Sequence, residues 1–401
     1  MSTGAPFLPY GRQSIGDGDI EAVVEALRSD YLTTGPMVER FERELAQTVG
    51  VREAVVVANG TAALHLAILT QNLGPQDVVI VPSITFAASA NCVAYAGAQV
   101  VFADVDPLTG LISDAAFDEA LSLIDRDLPD HRFAGAVIVH YAGAVVDLSH
   151  ISAVCRGRGA FLIEDACHAI GSRGPQGAAG ACTASDMAVF SFHPVKTLTT
   201  GEGGAITTND ADLARRLRCL RSHGIERDPA RFEGLGYGDG DDNGPWVYEM
   251  QALGFNYRLP DLNCALGVAQ LKRLPAFMAR RKTLVEAYRV ALEATNLPLS
   301  WTPPPEGDEP AYHLFAARID FTAVGKSRTQ VMGELKGLGI GTQVHYIPVH
   351  RLPYWQSRQK GARPLYGADA YYRSTLSLPL YPDMADSDPA RVVAALKEVL
   401  S

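Results

Sequence analysis

In Ser191-Phe-His-Pro-Val-Lys196-Thr-Leu-Thr-Thr-Gly201-Glu-Gly-Gly204, a lysine sits between two strand-like stretches. Met187 to Phe192 is apolar before it, and a strand begins at Gly203 after the Thr/Gly turn. An amine held among small and apolar residues is partly desolvated, which favours its neutral, nucleophilic form. Taken alone, Lys196 reads as an ordinary surface lysine. Its meaning changes with Phe161-Leu-Ile-Glu-Asp165-Ala-Cys-His168, another apolar run, which ends in acidic residues. A strand-end acid followed by a strand-end lysine is the pair that a pyridoxal phosphate (PLP) site needs. The amine joins the cofactor covalently and the carboxylate meets its pyridinium nitrogen.

Outward from these two strands, the pattern of strand then helix repeats. Strands are predicted at Ala54 to Ala58, Val78 to Val81, Val100 to Ala103, Ala136 to Tyr141, Ala160 to Ile163, Met187 to Phe192 and Ala205 to Thr208. Their near-continuous apolar character fits strands covered on both faces. Helices are predicted at Gly18 to Ser29, Met37 to Val49, Ala62 to Gln71, Ala87 to Ala96 and Ala211 to Arg221. The fold class is therefore α/β, an open, mostly parallel sheet with helices on both faces. Ligands of such sheets bind beyond the C-terminal ends of the strands, where Lys196, Asp165 and Thr61 all fall.

Ala58-Asn-Gly60-Thr61-Ala62-Ala63-Leu64 is one of those ends. A strand runs through a glycine turn into a helix, leaving N–H groups free to receive a phosphate beside the Thr61 hydroxyl. The bland alternative is a threonine capping a core helix. Neither the Walker ending nor the dinucleotide glycine pattern is present. Ser191 offers a second hydroxyl for the same anion. Phe86, in Pro82-Ser83-Ile84-Thr85-Phe86, can stack on a flat ring or simply pack. His168 can bond the cofactor or orient Asp165. Asp165, His168, Asp186 and His193 have no metal-ligand spacing, so no metal is expected. Glu164 and Asp165 are strand neighbours and point to opposite sides, so they do not share a proton.

The 401 residues are 47% hydrophobic with a formal charge of -10, which supports a large core and two domains and argues against a nucleic-acid partner. No run approaches the ~20 apolar residues of a membrane span, and no leader pattern opens the chain. Six scattered cysteines fit reduced thiols in a cytoplasmic protein. Ile225 to Tyr248 is rich in Gly and Asp and reads as a surface excursion, with a substrate lid as its rival. Asn256 and Arg258 precede a long helix that starts after Pro260 and continues past Pro275, placed to reach a phosphate or a neighbouring subunit. The domain boundary is set near residue 300, giving 1–300 and 301–401. The second unit is expected to be α+β, with a strand at Tyr312 to Ile319, a helix at Arg328 to Lys336 and a strand at Thr342 to Tyr346. His345 and Tyr346 on that last strand are candidates to face substrate.

Together, Asn59-Gly-Thr-Ala-Ala-Leu64, Glu164-Asp-Ala-Cys-His168, Ser191-Phe-His-Pro-Val-Lys196, Gly201-Glu-Gly-Gly204 and Gly254-Phe-Asn-Tyr-Arg-Leu259 resemble the DegT/DnrJ/EryC1/StrS sugar aminotransferases over nearly the whole chain. The resemblance implies the fold type I PLP-dependent transferase fold. It makes Lys196, Asp165 and His168 the catalytic set. Gly60, Thr61, Ala62, Phe86, Asp165, His168, Ser191, Lys196 and Asn256 become the cofactor-binding set, and Tyr346, His345 and Arg258 would contact substrate. It implies PLP, with pyridoxamine phosphate as its aminated form. Its further implication is a homodimer with shared active sites, in which Asn256 reaches the other protomer's site. His168 stands where many relatives carry glutamine.

Within the family, Ser-Phe-His-x-x-Lys, Arg221-Ser-His-Gly224 and Phe102-Ala-Asp104 resemble the branch of pseudaminic acid synthesis. That implies L-glutamate as amino donor and transfer to C4 of a UDP-linked 4-keto-6-deoxy-N-acetylhexosamine. The alternatives are another nucleotide-linked 3- or 4-keto-deoxysugar and, further off, a catalytically silent PLP-binding protein.

Overall fold

The computed structural model describes residues 6–234, 244–305 and 307–401. A seven-stranded sheet forms its centre. The strands are β1 (Glu53–Val57), β2 (Asp77–Pro82), β3 (Gln99–Ala103), β4 (Arg132–Val139), β5 (Phe161–Asp165), β6 (Met187–Ser191) and β7 (Gly204–Thr208). Their order is β1-β7-β6-β5-β4-β2-β3, and β7 runs antiparallel to both of its neighbours while the other pairings are parallel. The sheet is mostly parallel, as expected, with a single reversed strand.

Strand periodicity divides the core. Val55, Val57, Val79, Val81, Val137, Val139 and Val189 face one side, where they pack with α3 (Gly60–Leu69), α4 (Ala88–Tyr95) and α7 (Ala211–Arg221). On the other side, Ala54, Val56, Phe190 and Ala205 meet α2 (Pro36–Val49) and the start of α8 (Asp261–Glu293). Val78, Ile80, Ala136 and Ile138 there meet α5 (Asp114–Asp127) and α6 (Ser149–Gly157). Each fully buried valine or isoleucine contributes roughly 1.5–3 kcal/mol by leaving water.

Two expectations shift at the strand ends. The strand predicted through Tyr141 stops at Val139, because Ala142 and Gly143 take left-handed backbone angles of 59° and 98° and turn the chain. The strand predicted at Thr342 to Tyr346 does not form. Gln343 makes one bridge with Ser377, and the segment then leaves the ladder. Helices α5 and α6 were not among the predicted elements.

The C-terminal part builds its own antiparallel sheet from Leu299–Ser300, Phe315–Ile319 and Thr375–Leu378. Val331, Leu335, Val392 and Leu396 cover it. Leu8 and the α8 residues Leu284, Val285 and Tyr288 belong to the same core, which therefore draws on chain from both sides of residue 300. Helix α8 runs 33 residues with Pro275 inside it, tying the two cores together. A short ribbon, Ile225–Glu226 with Glu249–Met250, closes the base of the Gly/Asp-rich excursion. Residues 235–243 of that excursion, on which the lid reading falls, lie outside the described residues.

Candidate active site

The ends of β1, β2, β4, β5 and β6 and the starts of α3 and α4 converge on a cavity of about 1250 Å³. Gly60, Thr61, Ala62, Phe86, Asp165, His168, Ser191, Lys196, His345 and Tyr346 all line it. Asn256 and Arg258 do not. Asn256 is exposed on the chain, and Arg258 lines a second cavity of about 890 Å³ together with Arg215, Arg218, His223 and Arg227.

The anion cradle comes from the turn between β1 and α3. Asn59 caps the helix, its Oδ1 accepting the Ala62 N–H at 2.8 Å. That bond takes up the Ala62 N–H, so the open donors at the helix start are those of Gly60 and Thr61. A Cβ on Gly60 would sit 2.9 Å from the Ser191 Cβ. Glycine is required for this close approach, which sets the Ser191 hydroxyl beside the helix N-terminus. Gly204 serves the same end, since a Cβ there would lie 2.5 Å from the Asn59 carbonyl carbon. With Thr61 and Ser191 both lining the cavity, their hydroxyls and the positive end of α3 offer an anion cradle.

Asp165 ends β5 and is buried. The Ser89 hydroxyl donates to its Oδ2 at 2.7 Å, and the Cys167 N–H donates to Oδ1 at 3.2 Å. Glu164, one residue earlier, points the other way and bonds His140 at 2.9 Å, Ser185 at 2.5 Å and the Gly180 N–H at 3.2 Å. The two carboxylates share nothing, as strand geometry predicts. Lys196 is partly buried at the end of the turn after β6, and burial lowers its amine from the ordinary lysine value against the opposing pull of Cys167 and Asp165.

A wall of imidazole and phenol faces these groups. The His168 ring lies 6.0 Å from that of Tyr346 and 4.3 Å from that of His313. Burial, then Lys196 and His345, hold His168 well below the usual imidazole range. Burial, then Lys196, takes His345 down to about 3. The His345 Nδ1 pairs with the Ser377 hydroxyl at 2.8 Å, and its carbonyl accepts from the Tyr141 hydroxyl at 2.8 Å. Phe86 stands at the rim, 60% exposed, with its ring 6.2 Å from that of Tyr346.

Sequence motifs did not single out Ser89 or His313. Ser89 follows Phe86 on the first turn of α4, a spacing that places both at one strand end. His313 was hidden by the strand predicted from Tyr312, whereas the strand begins at Phe315.

The donor set fits PLP. The two-hydroxyl cradle suits its phosphate, Asp165 its ring nitrogen, Lys196 its aldehyde carbon and the exposed Phe86 face its ring. Comparison with known proteins points the same way. The model of the DegT/DnrJ/EryC1/StrS aminotransferase family matches residues 13–397. The spore coat polysaccharide biosynthesis protein SpsC of Bacillus subtilis is 37% identical over 398 residues, covering 98% of this chain and 97% of that protein. Among solved structures, PseC of Helicobacter pylori, an aminotransferase involved in pseudoaminic acid biosynthesis, is 26% identical with a TM-score of 0.85, covering 98% of this chain and 99% of the other. DesI, solved in the presence of its TDP-sugar product, is 29% identical with a TM-score of 0.83, covering 100% of this chain and 94% of the other. The chain is a PLP-dependent enzyme and belongs to the DegT/DnrJ/EryC1/StrS aminotransferase family.

Proposed function

We propose that the protein transfers the amino group of L-glutamate to the keto carbon, C3 or C4, of a nucleotide-linked keto-deoxysugar. The observation that carries this is the convergence of Lys196, Asp165 and the Thr61–Ser191 cradle in one cavity with volume to spare beyond them. The TDP-sugar product of DesI and the polysaccharide role of SpsC support a nucleotide-linked sugar as the second substrate. The narrower expectation, the UDP-linked substrate of pseudaminic acid synthesis, has weaker support. Identity to PseC is 26%, against 37% to SpsC.

When bound, PLP supplies an electron sink for breaking the bond to the amino donor's α-hydrogen. The chain's residues supply the rest. Asp165, buried and braced by Ser89, holds the proton on the ring nitrogen. Gly60, Thr61 and Ser191 anchor the phosphate. Lys196, neutral more of the time than an exposed lysine, removes the α-proton of the amino donor. His168 and Tyr346 present polar atoms to the same cavity. In the homodimer reading, Asn256 acts on the partner's cavity.

A single-turnover assay tests this reading. Holoenzyme is first converted by L-glutamate to its amine form, then mixed separately with UDP- and dTDP-linked 3- and 4-keto-deoxysugars. One amino sugar per site with recovery of the pyridoxal absorbance identifies the substrate. If glutamate converts the enzyme and no keto sugar restores it, the sugar reading is wrong.

A further inference from the structure

We infer that the imidazole of His313, a residue outside every motif, is the contact for a carboxylate of the amino donor at the buried end of the cavity. The inference rests on the aminotransferase reading above and adds to it a residue and the chemical group that residue recognises.

His313 belongs to the irregular segment 311–314 that leads into the C-terminal sheet, and its main chain is clamped on every side. The Ala311 N–H donates to the Ser172 hydroxyl oxygen at 2.9 Å, and that hydroxyl donates to the Gly143 carbonyl at 2.7 Å. The Leu314 N–H reaches the Ala142 carbonyl at 3.3 Å. A Cβ on Gly143 would lie 2.8 Å from the Tyr312 nitrogen and 2.9 Å from that of His313, so the two segments touch backbone to backbone. Arg281, 1% exposed, donates to the carbonyls of Tyr312 and His313 at 3.2 Å and of Leu380 at 3.0 Å. A buried guanidinium bonded to carbonyls, with no carboxylate in its bonds, is a costly arrangement. Here it fixes the segment that presents His313.

The imidazole itself is unsatisfied. It is 4% exposed, lines the cavity and packs on His168, yet neither ring nitrogen bonds to any group among the described residues. Nδ1 is sealed off without a partner, so Nε2 is the nitrogen left to meet a ligand. Of the charged groups that act on the ring, Arg281 is a guanidinium and positive throughout, Lys196 is positive only while protonated, and the other neighbours are His168 and His345. Burial first, and then these neighbours, keep the ring neutral at ordinary pH. In the tautomer protonated at Nε2, the ring presents an N–H donor to the cavity and leaves its lone pair on the sealed Nδ1. A donor in a positive field attracts an anion. The cofactor's phosphate belongs to the α3 cradle, and the bulky diphosphate of a nucleotide-linked sugar does not suit a ring only 4% exposed, which leaves the amino acid's carboxylate as the small anion that reaches it. A sugar hydroxyl would gain little from that field.

The test uses holoenzyme carrying His313→Phe, which keeps an aromatic ring on His168, His313→Gln, which restores a donor, and His313→Ala as a second truncation. Cofactor content and melting temperature report folding. Calorimetric titration with glutarate, an inert dicarboxylate, reads binding without turnover. Stopped-flow absorbance reads each half-reaction. We expect glutarate affinity and the KM for L-glutamate to worsen by about tenfold or more in the Phe and Ala variants, the scale of one hydrogen bond to a charged partner. KM for the keto sugar should move by less than about threefold on the same reasoning, and the Gln variant should recover most of the loss. Unchanged glutarate binding, or equal losses for both substrates, would overturn the inference. If wild-type enzyme binds glutarate but never accepts an amino group, the functional reading fails while the glutarate comparison still decides the role of His313.

Discussion

The Nε2 of His168 lies 3.0 Å from the hydroxyl oxygen of Tyr346. On the other side of the ring, Nδ1 accepts the Ala142 N–H at 3.3 Å. A neutral imidazole that accepts at Nδ1 carries its proton on Nε2. His168 therefore donates to Tyr346, and the tyrosine's own proton is free to turn towards the cavity. The pair together presents a hydroxyl donor to the cavity.

Replacing that donor gives the first prediction. Tyr346→Phe should lower turnover by about tenfold to a hundredfold, since a hydrogen bond to a charged or developing charge is lost. Cofactor content should stay at the wild-type level. Turnover within twofold of wild type would reduce Tyr346 to a packing residue.

Lys196→Ala should abolish multiple turnover, because in the proposed reaction one amine both holds the cofactor and moves the proton. The reactivity of this amine also has a predicted pH dependence. Burial lowers the Lys196 pKa from 10.5 in the cofactor-free chain. The neutral fraction therefore rises with pH through a midpoint below that value. The rate at which added pyridoxal phosphate is captured, followed by absorbance across pH, reads this midpoint directly. A midpoint at or above 10.5 would contradict the burial argument.

Gly60→Ala probes the cradle. The added methyl meets the Ser191 Cβ at 2.9 Å, so α3 and β6 must part by a few tenths of an ångström. Cofactor should dissociate about tenfold or more faster on dilution, through weakened helix-end contacts to the phosphate. Thermal stability should fall only modestly. Wild-type retention of cofactor would place the phosphate elsewhere.

Glu164 makes a structural counterpart to Asp165. Burial alone would raise its carboxyl. The hydrogen bond and charge of His140, with bonds from Ser185 and Gly180, outweigh that and bring it below its ordinary value. A depressed carboxyl stabilises the fold above its unfolded pKa, and that contribution is lost as pH falls through the folded value. Glu164→Ala should cost about 3 kcal/mol by leaving His140 buried without its partner. Denaturant unfolding at neutral pH measures this. The wild-type and variant curves should converge as pH drops below the carboxylate range.

Much of the site is legible in the chain because it is local. Asp165, Ser191 and Lys196 follow apolar runs that can only be strands covered on both faces, and Gly60-Thr61 opens a helix directly after another. Strand ends of a parallel sheet share one edge, so four separate positions were bound to meet. Helix α5 was equally legible in principle. Its Ser113 cap and the spacing of Phe117, Ala120, Leu121 and Ile124 carry the signal. The antiparallel direction of β7 was less accessible, since Gly204–Thr208 reads the same in either direction.

What local pattern determined, then, is the sheet, its ligand edge and the lysine–aspartate pair, because near-continuous apolar runs and turn residues are properties of neighbours in sequence. What only the tertiary structure decided is the wall that closes the cavity. Tyr346 comes from a segment expected to be a strand, and it reaches His168 because that segment leaves the ladder after a single bridge to Ser377. His313 is delivered by a clamp of Ser172, Gly143 and Arg281, which are more than a hundred residues apart along the chain at their extremes. Such contacts depend on the packing of segments distant in the chain, a long-range balance that no window of sequence encodes.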